Sequence, residues 1–390
     1  MSVSFWNDDS ANKNLEADIA IIGGGVAGLS CAYWLQKSDP NMKIALVEKY
    51  EIGSGASGRN AGFVTCGSVE HFNRLTEKHG PEEALDIWRF SETNMELLKQ
   101  EIIQENPRDF LFEQKGSCSL ASTPSEFKEL QESARIMAEK NIKVEVLDQK
   151  DISKRLGAAN FVGGIKYCDD GSINPVLLLN GIRKKLGENV AVLENHEVFD
   201  IQTEGEYKLL KTDKTNIRAS MAVYATNGYS ALLNHFFEDK IFPTRGQILA
   251  TEPLPQFMEA PCYANFVLDY FRQLPTGEMI IGGFRQLQKD AEKGYSDEVS
   301  QVIQEALEKF LKERIPPAKN ARITHRWSGI MGFSADGQPM VGSTPQDPQS
   351  LFCAGFTAHG IGLAFHSAKV LADCVFGRKI PKFISAKRFN

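Results

Sequence analysis

Asp18-Ile-Ala-Ile-Ile-Gly-Gly-Gly-Val-Ala-Gly28, followed by Glu48 at the end of the next apolar run, decides the reading of this chain. Ile19, Ala20, Ile21 and Ile22 form a continuous apolar run of the kind needed by a strand buried on both faces. Gly23, Gly25 and Gly28 then set a G-x-G-x-x-G spacing that leads into Leu29-Ser-Cys-Ala-Tyr-Trp-Leu35. The pattern predicts strand, tight turn and helix. Gly23 permits the turn, Gly25 lets a pyrophosphate approach the backbone, and Gly28 lets the helix pack close to the strand. Val26 and Ala27 open the helix, whose free N–H groups and positive dipole end face the phosphates. A second strand, Lys43-Ile-Ala-Leu-Val-Glu48, ends in a carboxylate placed to accept hydrogen bonds from a ribose, with Lys49 beside it. A glycine turn alone is a weak sign. Here strand, helix and acid stand in order, and together they predict dinucleotide binding.

Just beyond Glu48 comes Gly53-Ser-Gly-Ala-Ser-Gly-Arg-Asn-Ala-Gly62, a second loop of small residues in the same half. NAD enzymes have no general need of it. A flavin dinucleotide is longer, and a backbone-rich loop with Ser57, Arg59, Asn60, Ala61 and Gly62 suits its ribityl chain and ring. The pairing of the two loops resembles the FAD-dependent amine and amino-acid oxidoreductases of the D-amino-acid oxidase family. That resemblance continues along the chain, from Ser4-Phe-Trp6 through Asp170-Gly-Ser-Ile-Asn-Pro-Val-Leu-Leu178 and Val190-Ala-Val-Leu-Glu-Asn-His-Glu-Val198 to Ala222-Val-Tyr-Ala-Thr-Asn-Gly-Tyr-Ser230. It ends in Trp327-Ser-Gly-Ile-Met-Gly-Phe-Ser-Ala-Asp-Gly-Gln-Pro-Met-Val-Gly342 and Leu351-Phe-Cys-Ala-Gly-Phe-Thr-Ala-His-Gly-Ile-Gly-Leu-Ala364, similar to the family's terminal flavin-binding signature. The Ala-Thr-Asn wording is closest to the γ-glutamylputrescine oxidase branch. The resemblance implies FAD as cofactor, with Val198, Ala225, Thr226, Gly329, Gly360, Ile361 and Gly362 added to its binding residues.

A chain of 390 residues, 42% hydrophobic and 24% charged, can bury a large core. Its formal net charge of -6 offers no basic field for nucleic acid. The longest apolar runs are strand-sized, well short of the ~20 residues that cross a bilayer. Residues 1–17 are polar and acidic and resemble no targeting segment, which points to the cytoplasm. Seven widely spaced cysteines without C-x-x-C pairing argue against a disulfide framework and against a metal site.

Strand-like and helix-like segments alternate over residues 18–62, and a long helical pattern follows from about Glu82 to Glu139, with one strand pair around Leu111-Phe112 and Ser117 to Leu120. Residues 145–230 return to the nucleotide-binding pattern. Phe242 to Arg322 alternates β-branched and aromatic residues, with an amphipathic helix from Asp297 to Arg314 and a hairpin at Arg272-Gln-Leu-Pro-Thr-Gly-Glu-Met279. The fold class is therefore α/β: a discontinuous Rossmann-like FAD-binding domain, residues 1–81, 145–235 and 325–390, with an inserted α+β substrate domain, residues 82–144 and 236–324.

Flavin oxidation of an amine asks little of acid–base side chains, because the cofactor takes the hydride and stores both electrons. The helix opened by His359-Gly-Ile-Gly362 offers roughly half a positive charge to stabilise the reduced ring. His359 at its start is read either as a structural hydrogen-bonder or as a proton carrier. Glycine oxidase and D-amino-acid dehydrogenases carry an arginine in a Trp-x-Gly-x-Arg-Pro arrangement that grips the α-carboxylate of the substrate. Here the same stretch reads Trp327-Ser-Gly-Ile-Met331-Gly332, which shifts recognition to Arg272 and Tyr270 of Asp269-Tyr-Phe-Arg272. Arg245 is a further candidate, better suited to a structural ion pair. Sarcosine oxidases that tether FAD place a cysteine in this block where the present chain has Gly329, so FAD is expected to be noncovalent.

The expected function is oxidation of a small-molecule primary or secondary amine to an imine, with oxygen or another electron acceptor taking the electrons. Oxidation of glycine, sarcosine or a D-amino acid stays open as an alternative. So does a noncatalytic flavoprotein subunit.

Overall fold

A computed structural model describes residues 14–65, 69–265 and 268–389 and divides the chain into two compact units. One comprises Met1–Gly58, Leu178–Thr244 and Met331–Asn390, the other Arg59–Leu177 and Arg245–Ile330. Ser4, Trp6 and Cys66 lie outside the described residues.

The apolar runs of the first unit bury their strands on both faces, with Ile19, Ala20, Ile21, Ala45 and Leu46 wholly inaccessible. Its sheet runs in the order Met340–Thr344, Asp347–Ala354, Asn216–Tyr224, Asn14–Ile22, Ile44–Val47, Val190–Leu193. The last five of these are parallel, and Met340–Thr344 is antiparallel to its neighbour. Asn14–Ile22 pairs with Asn216–Tyr224 from Asn14 opposite Asn216 to Ile22 opposite Tyr224. Parallel neighbours need crossovers, and the helix Val26–Ser38 supplies the first of them. That helix packs beside Gly360–Val375, where the Trp34 indole N–H donates to the Phe365 carbonyl at 3.0 Å. The Tyr33 and Phe365 rings add a contact at 5.6 Å.

The second unit carries a sheet in the order Ile323–Ser334, Ile241–Thr251, Met279–Gly282, Asp269–Gln273, Cys262–Ala264, Ser117–Ala121, Gly163–Tyr167, Val144–Asp148. The helix Gln301–Arg314 lays Ile303, Leu307 and Leu311 into a core with Phe271, Ile281 and Leu249. Ser300 starts it by accepting a hydrogen bond from the Ile303 N–H. The helices Val69–His79, Pro81–Leu98, Pro124–Glu139 and Gln149–Leu156 also belong to this unit. Among the described residues no helix is long and apolar enough to cross a membrane.

Several sequence expectations change here. Residues 59–81 and 145–177 fall in the second unit, because Gly163–Tyr167 pairs with both Ser117–Ala121 and Val144–Asp148, and Val69–His79 packs on Pro81–Leu98. Leu111-Phe112 is not a strand: Pro107–Phe110 is a short 3-10 turn, and Leu111 takes a left-handed φ of 47°. Ser117–Ala121 finds its partners elsewhere, in Gly163–Tyr167 and Cys262–Ala264. The helix expected from Asp297 begins at Gln301.

At one end of this sheet Glu259 meets Arg155 at 2.7 Å and also Lys166, which together hold its carboxyl down at about 2. A depressed folded value means the pair's stabilisation is complete above the unfolded carboxylate value of 4.5 and is lost as pH falls toward 2. Glu259→Gln is expected to cost about 1 kcal/mol at neutral pH after solvent screening. Urea melts should show that cost shrinking through the same acid window.

Candidate active site

In the first unit the glycines stand where backbone meets backbone. Gly23 has a φ of +106°, and a Cβ on it would lie 2.8 Å from the Ala225 carbonyl oxygen. Ala225 in turn donates its N–H to the Ile22 carbonyl at 2.9 Å, so the ends of the two central strands lock onto the turn. A Cβ on Gly28 would lie 1.8 Å from the Gly23 carbonyl oxygen, which no rearrangement of side chains relieves. Gly25 faces the Ser57 hydroxyl, 2.8 Å from the place of a Cβ. That hydroxyl accepts the Val26 N–H at 2.9 Å, so an oxygen already stands where the first free donor of the helix points.

Two helix N-termini meet at this place. Val26 Cγ1 lies 4.0 Å from the position of a Cβ on Gly360, and neither Gly25 nor His359 caps its helix with a side chain. Side-by-side positive helix ends suit a pyrophosphate. Glu48 is aimed by the same turn: Oε2 accepts the Gly24 N–H at 2.7 Å and Oε1 the Tyr50 N–H at 3.0 Å. The residues present thus fit an adenine dinucleotide. Glu48→Ala is expected to weaken FAD binding by about 1.5–3 kcal/mol, the worth of a hydrogen bond to a charged acceptor. Titrating the apoprotein with FAD and following flavin fluorescence measures it.

The other expected cofactor residues of this unit lie around the same strand ends. Lys49 pairs with Glu197 at 2.8 Å, which raises its ammonium above the ordinary value, so its charge is spent within the protein. Val198 is nearly buried at the start of Val198–Glu204, Ala27 is buried in the first helix turn, and the Thr226 hydroxyl lies 3.0 Å from that of Ser230. His359 precedes the Gly360–Val375 helix, and its carbonyl accepts the Gly362 N–H at 3.1 Å while Ile361 is buried. Thr357 and Ala358 take consecutive left-handed φ values of 48° and 69°, a strained approach to a helix start. A Cβ on Gly360 would meet nothing nearer than 3.9 Å, so the surrounding protein does not require glycine there. Sequence reasoning gave no role to Asn227, whose φ is 46° and whose side chain accepts the Gly355 N–H at 2.9 Å. Asn-Gly after a strand is a turn signal that marks such a residue.

In the second unit, Asn60 Oδ1 accepts the Gly62 N–H at 2.8 Å, and Gly62, at a φ of +75°, presses so close to Ile173 that a Cβ would lie 2.0 Å from its carbonyl oxygen. Arg59 Nη1 reaches Asp297 and the Ser328 carbonyl, each at 3.2 Å, and the Trp327 indole donates to the Arg59 carbonyl at 2.9 Å. Gly329 lies on the strand Ile323–Ser334.

Arg272, expected to grip substrate, does something else. It is 1% exposed, and its Nη1 donates to the carbonyls of Ala61, Gly62 and Ile173 at 3.2, 3.0 and 3.1 Å. Burial pulls its guanidinium down to about 10, still charged at neutral pH. With no surface left to meet a ligand, Arg272 staples the 60–62 loop to residue 173. Arg245 is likewise structural, bonded to the buried Glu292 at 2.7 and 3.0 Å. Tyr270 keeps some exposed surface: its ring packs edge-on to Phe63 at 6.0 Å, and burial pushes its hydroxyl up to about 12, leaving a neutral donor.

A family profile described as "FAD dependent oxidoreductase" matches residues 18–374. The chain is 25% identical over 380 residues to a probable oxidoreductase OrdL of Haemophilus influenzae, across 93% of this chain and 83% of that protein. It is 22% identical to a gamma-glutamylputrescine oxidoreductase of Escherichia coli, across 95% of this chain and 86% of the other. The crystal structure of glycine oxidase from Geobacillus kaustophilus shares the fold with a TM-score of 0.81 at 23% identity, over 94% of this chain and 96% of that one.

Proposed function

Because the chain belongs to the family of FAD dependent oxidoreductases, we propose that it oxidises a primary or secondary amine to an imine, which water hydrolyses to a carbonyl compound. The preferred amines carry their anionic or polar group away from the reacting carbon. The observation that carries this reading is Met331, a thioether at the place where the amino-acid enzymes it resembles carry an arginine. A thioether makes no charge-assisted bond to an α-carboxylate.

Bound FAD supplies two-electron oxidation of the C–N bond. The chain holds the dinucleotide through the Gly23–Gly28 turn, Glu48 and the two helix N-termini, and the Gly360–Val375 helix end suits the negative charge of a reduced ring. Tyr270 contributes a neutral hydroxyl for substrate. Electrons leave to oxygen or to another acceptor, which a peroxide assay separates. The described cysteines are all free thiols, in keeping with a cytoplasmic setting. Gly329 offers no thiol for a tether, so FAD is expected to come off intact with acid or heat. Flavin that stays with the denatured polypeptide overturns that expectation.

Anaerobic mixing with a panel of amines tests the function. Bleaching of the oxidised flavin by amines with a remote anionic group, and weakly or not at all by glycine and D-alanine, is the expected result. Ready bleaching by glycine or D-alanine favours the second reading, an amino-acid oxidase or dehydrogenase, which the likeness to glycine oxidases supports. No bleaching by any amine points to a noncatalytic flavoprotein.

A further inference from the structure

Backbone leading into the Gly360–Val375 helix takes left-handed φ values at two successive non-glycine residues, 48° at Thr357 and 69° at Ala358. That conformation is costly for a residue with a Cβ, and most of all for a β-branched one such as Thr357. It persists only where neighbouring groups over-determine it. Here they do. The Thr357 N–H donates to the Gly332 carbonyl at 2.9 Å, and the Thr357 hydroxyl oxygen accepts the Ser334 N–H at 3.2 Å. Two residues earlier, the Gly355 N–H is taken by the Asn227 side chain at 2.9 Å.

From Thr357 the contacts run outward, within the first unit, to a part of the chain distant in sequence. The Ser334 hydroxyl lies 3.2 Å from that of Thr357 and donates to Asp336 Oδ1 at 3.3 Å. Arg388 closes on the same carboxylate with two donors, Nε to Oδ2 and Nη2 to Oδ1, the second at 3.1 Å. Such a fork fixes direction as well as distance. Arg388 is itself anchored, with Nη2 on the Gln338 carbonyl at 3.0 Å and Nη1 on that of Ser385 at 3.1 Å. Its segment is bedded by the buried Ile384 and Ala386, and Ser385 bridges to Val341. The side chains of Arg388 and Asp336 are 15% and 18% exposed, so water screens the pair only in part.

Without Arg388 two things change at the helix start. The Asp336 carboxylate stands uncompensated two contacts away from Thr357, a negative charge near a helix end that suits an anion. The strained pair also loses the outermost of its restraints, and the first turn can relax.

We propose that Arg388 is a positioning residue for the flavin: acting through Asp336, Ser334 and Thr357, it holds the N-terminal end of the Gly360–Val375 helix in the orientation that meets the anionic parts of FAD. This role rests on that helix end being part of the cofactor site, as read above, and holds for any amine.

The test uses the full chain, as apoprotein titrated with FAD and as holoprotein brought to its two-electron potential against a reference dye. Arg388→Met keeps a long side chain and removes the fork. It is expected to weaken FAD binding about 5- to 10-fold, within the range that a helix end supplies to a neighbouring charge. The same helix end serves the added negative charge of the reduced ring, so binding of the reduced form should weaken by a further factor of about 5 to 10, which lowers the potential by about 20–30 mV. Ala358→Gly removes the cost of a left-handed φ at that position, so adding it to Arg388→Met should return most of both losses. Wild-type affinity and potential in Arg388→Met overturn the role, and so do effects of the two substitutions that simply add. Where Arg388→Met does not fold, Ser334→Ala breaks the same line of contacts without altering any charge. Weakened FAD binding that Ala358→Gly restores then supports the role, and wild-type values overturn it. Gly360→Asp separates this failure from failure of the helix reading. A Cβ at Gly360 meets nothing nearer than 3.9 Å, so the variant should fold with a carboxylate at the helix start. Weakened FAD binding in Gly360→Asp beside wild-type binding in Arg388→Met leaves the helix end in the cofactor site and removes Arg388 from its support. Wild-type binding in both removes the helix end itself, and the role of Arg388 with it.

Discussion

Gly28→Ala is expected to yield a protein without FAD and with greatly reduced stability. The added Cβ would lie 1.8 Å from the Gly23 carbonyl oxygen, and that oxygen and the Cα bearing the Cβ both belong to backbone that the Ala225 contact and the strand pairing hold in place. The helix can escape only by moving away from the strand, which opens the phosphate turn. Overpacking at such a site costs on the order of 3 kcal/mol or more. Gly25→Val differs in kind. Its nearest neighbour is the Ser57 hydroxyl, which can rotate away, so the fold should persist while the branched side chain blocks the approach of pyrophosphate. The ratio of flavin to protein absorbance, with a thermal melt beside it, separates the two. Wild-type flavin content in either variant removes the turn from the binding site.

Arg272→Ala is expected to destabilise the second unit by about 3 kcal/mol or more, because it strips donors from buried carbonyls and empties the space of a long side chain. Arg272→Lys should restore part of the stability at best, since one ammonium cannot copy the geometry that reaches Ala61, Gly62 and Ile173 together. Urea melts measure both. An Arg272→Ala variant of wild-type stability with a raised KM would return the residue to substrate recognition.

The glycine turn was legible in the sequence because its demands are steric and local: Gly23, Gly28 and Gly62 each stand where a Cβ meets backbone. Helix starts were legible within a few residues, as at Ser300, since capping chemistry is also local. Arg272 was misread because an arginine on a strand carries no mark of its burial; its fate depends on carbonyls at 61, 62 and 173, far away in sequence. The domain boundaries missed for a related reason. Residues 145–177 alternate much like a nucleotide-binding segment, and only the pairing of Gly163–Tyr167 with Ser117–Ala121 assigns them to the second sheet. Leu111-Phe112 has strand propensity, but the left-handed Leu111 breaks the run and only the adjoining Glu113 bridges to Ser172, so tertiary context overrode it.

The order in which the first sheet is strung along the chain governs how it can be made on a ribosome. Asn14–Ile22 and Ile44–Val47 emerge early, but the neighbour that covers the other edge of Asn14–Ile22 is Asn216–Tyr224, and that strand waits in turn for Asp347–Ala354. Until then Ile19 to Ile22 present an apolar, unpaired strand edge to the cell, the kind of surface that chaperones hold and aggregates recruit. The helix Gly360–Val375, one of the two ends proposed to face the phosphates, follows every strand of that sheet along the chain. Cofactor loading that uses both helix ends is therefore expected only after Gly360–Val375 has been made, and a nascent chain stalled before Asp347 carries a half-built sheet.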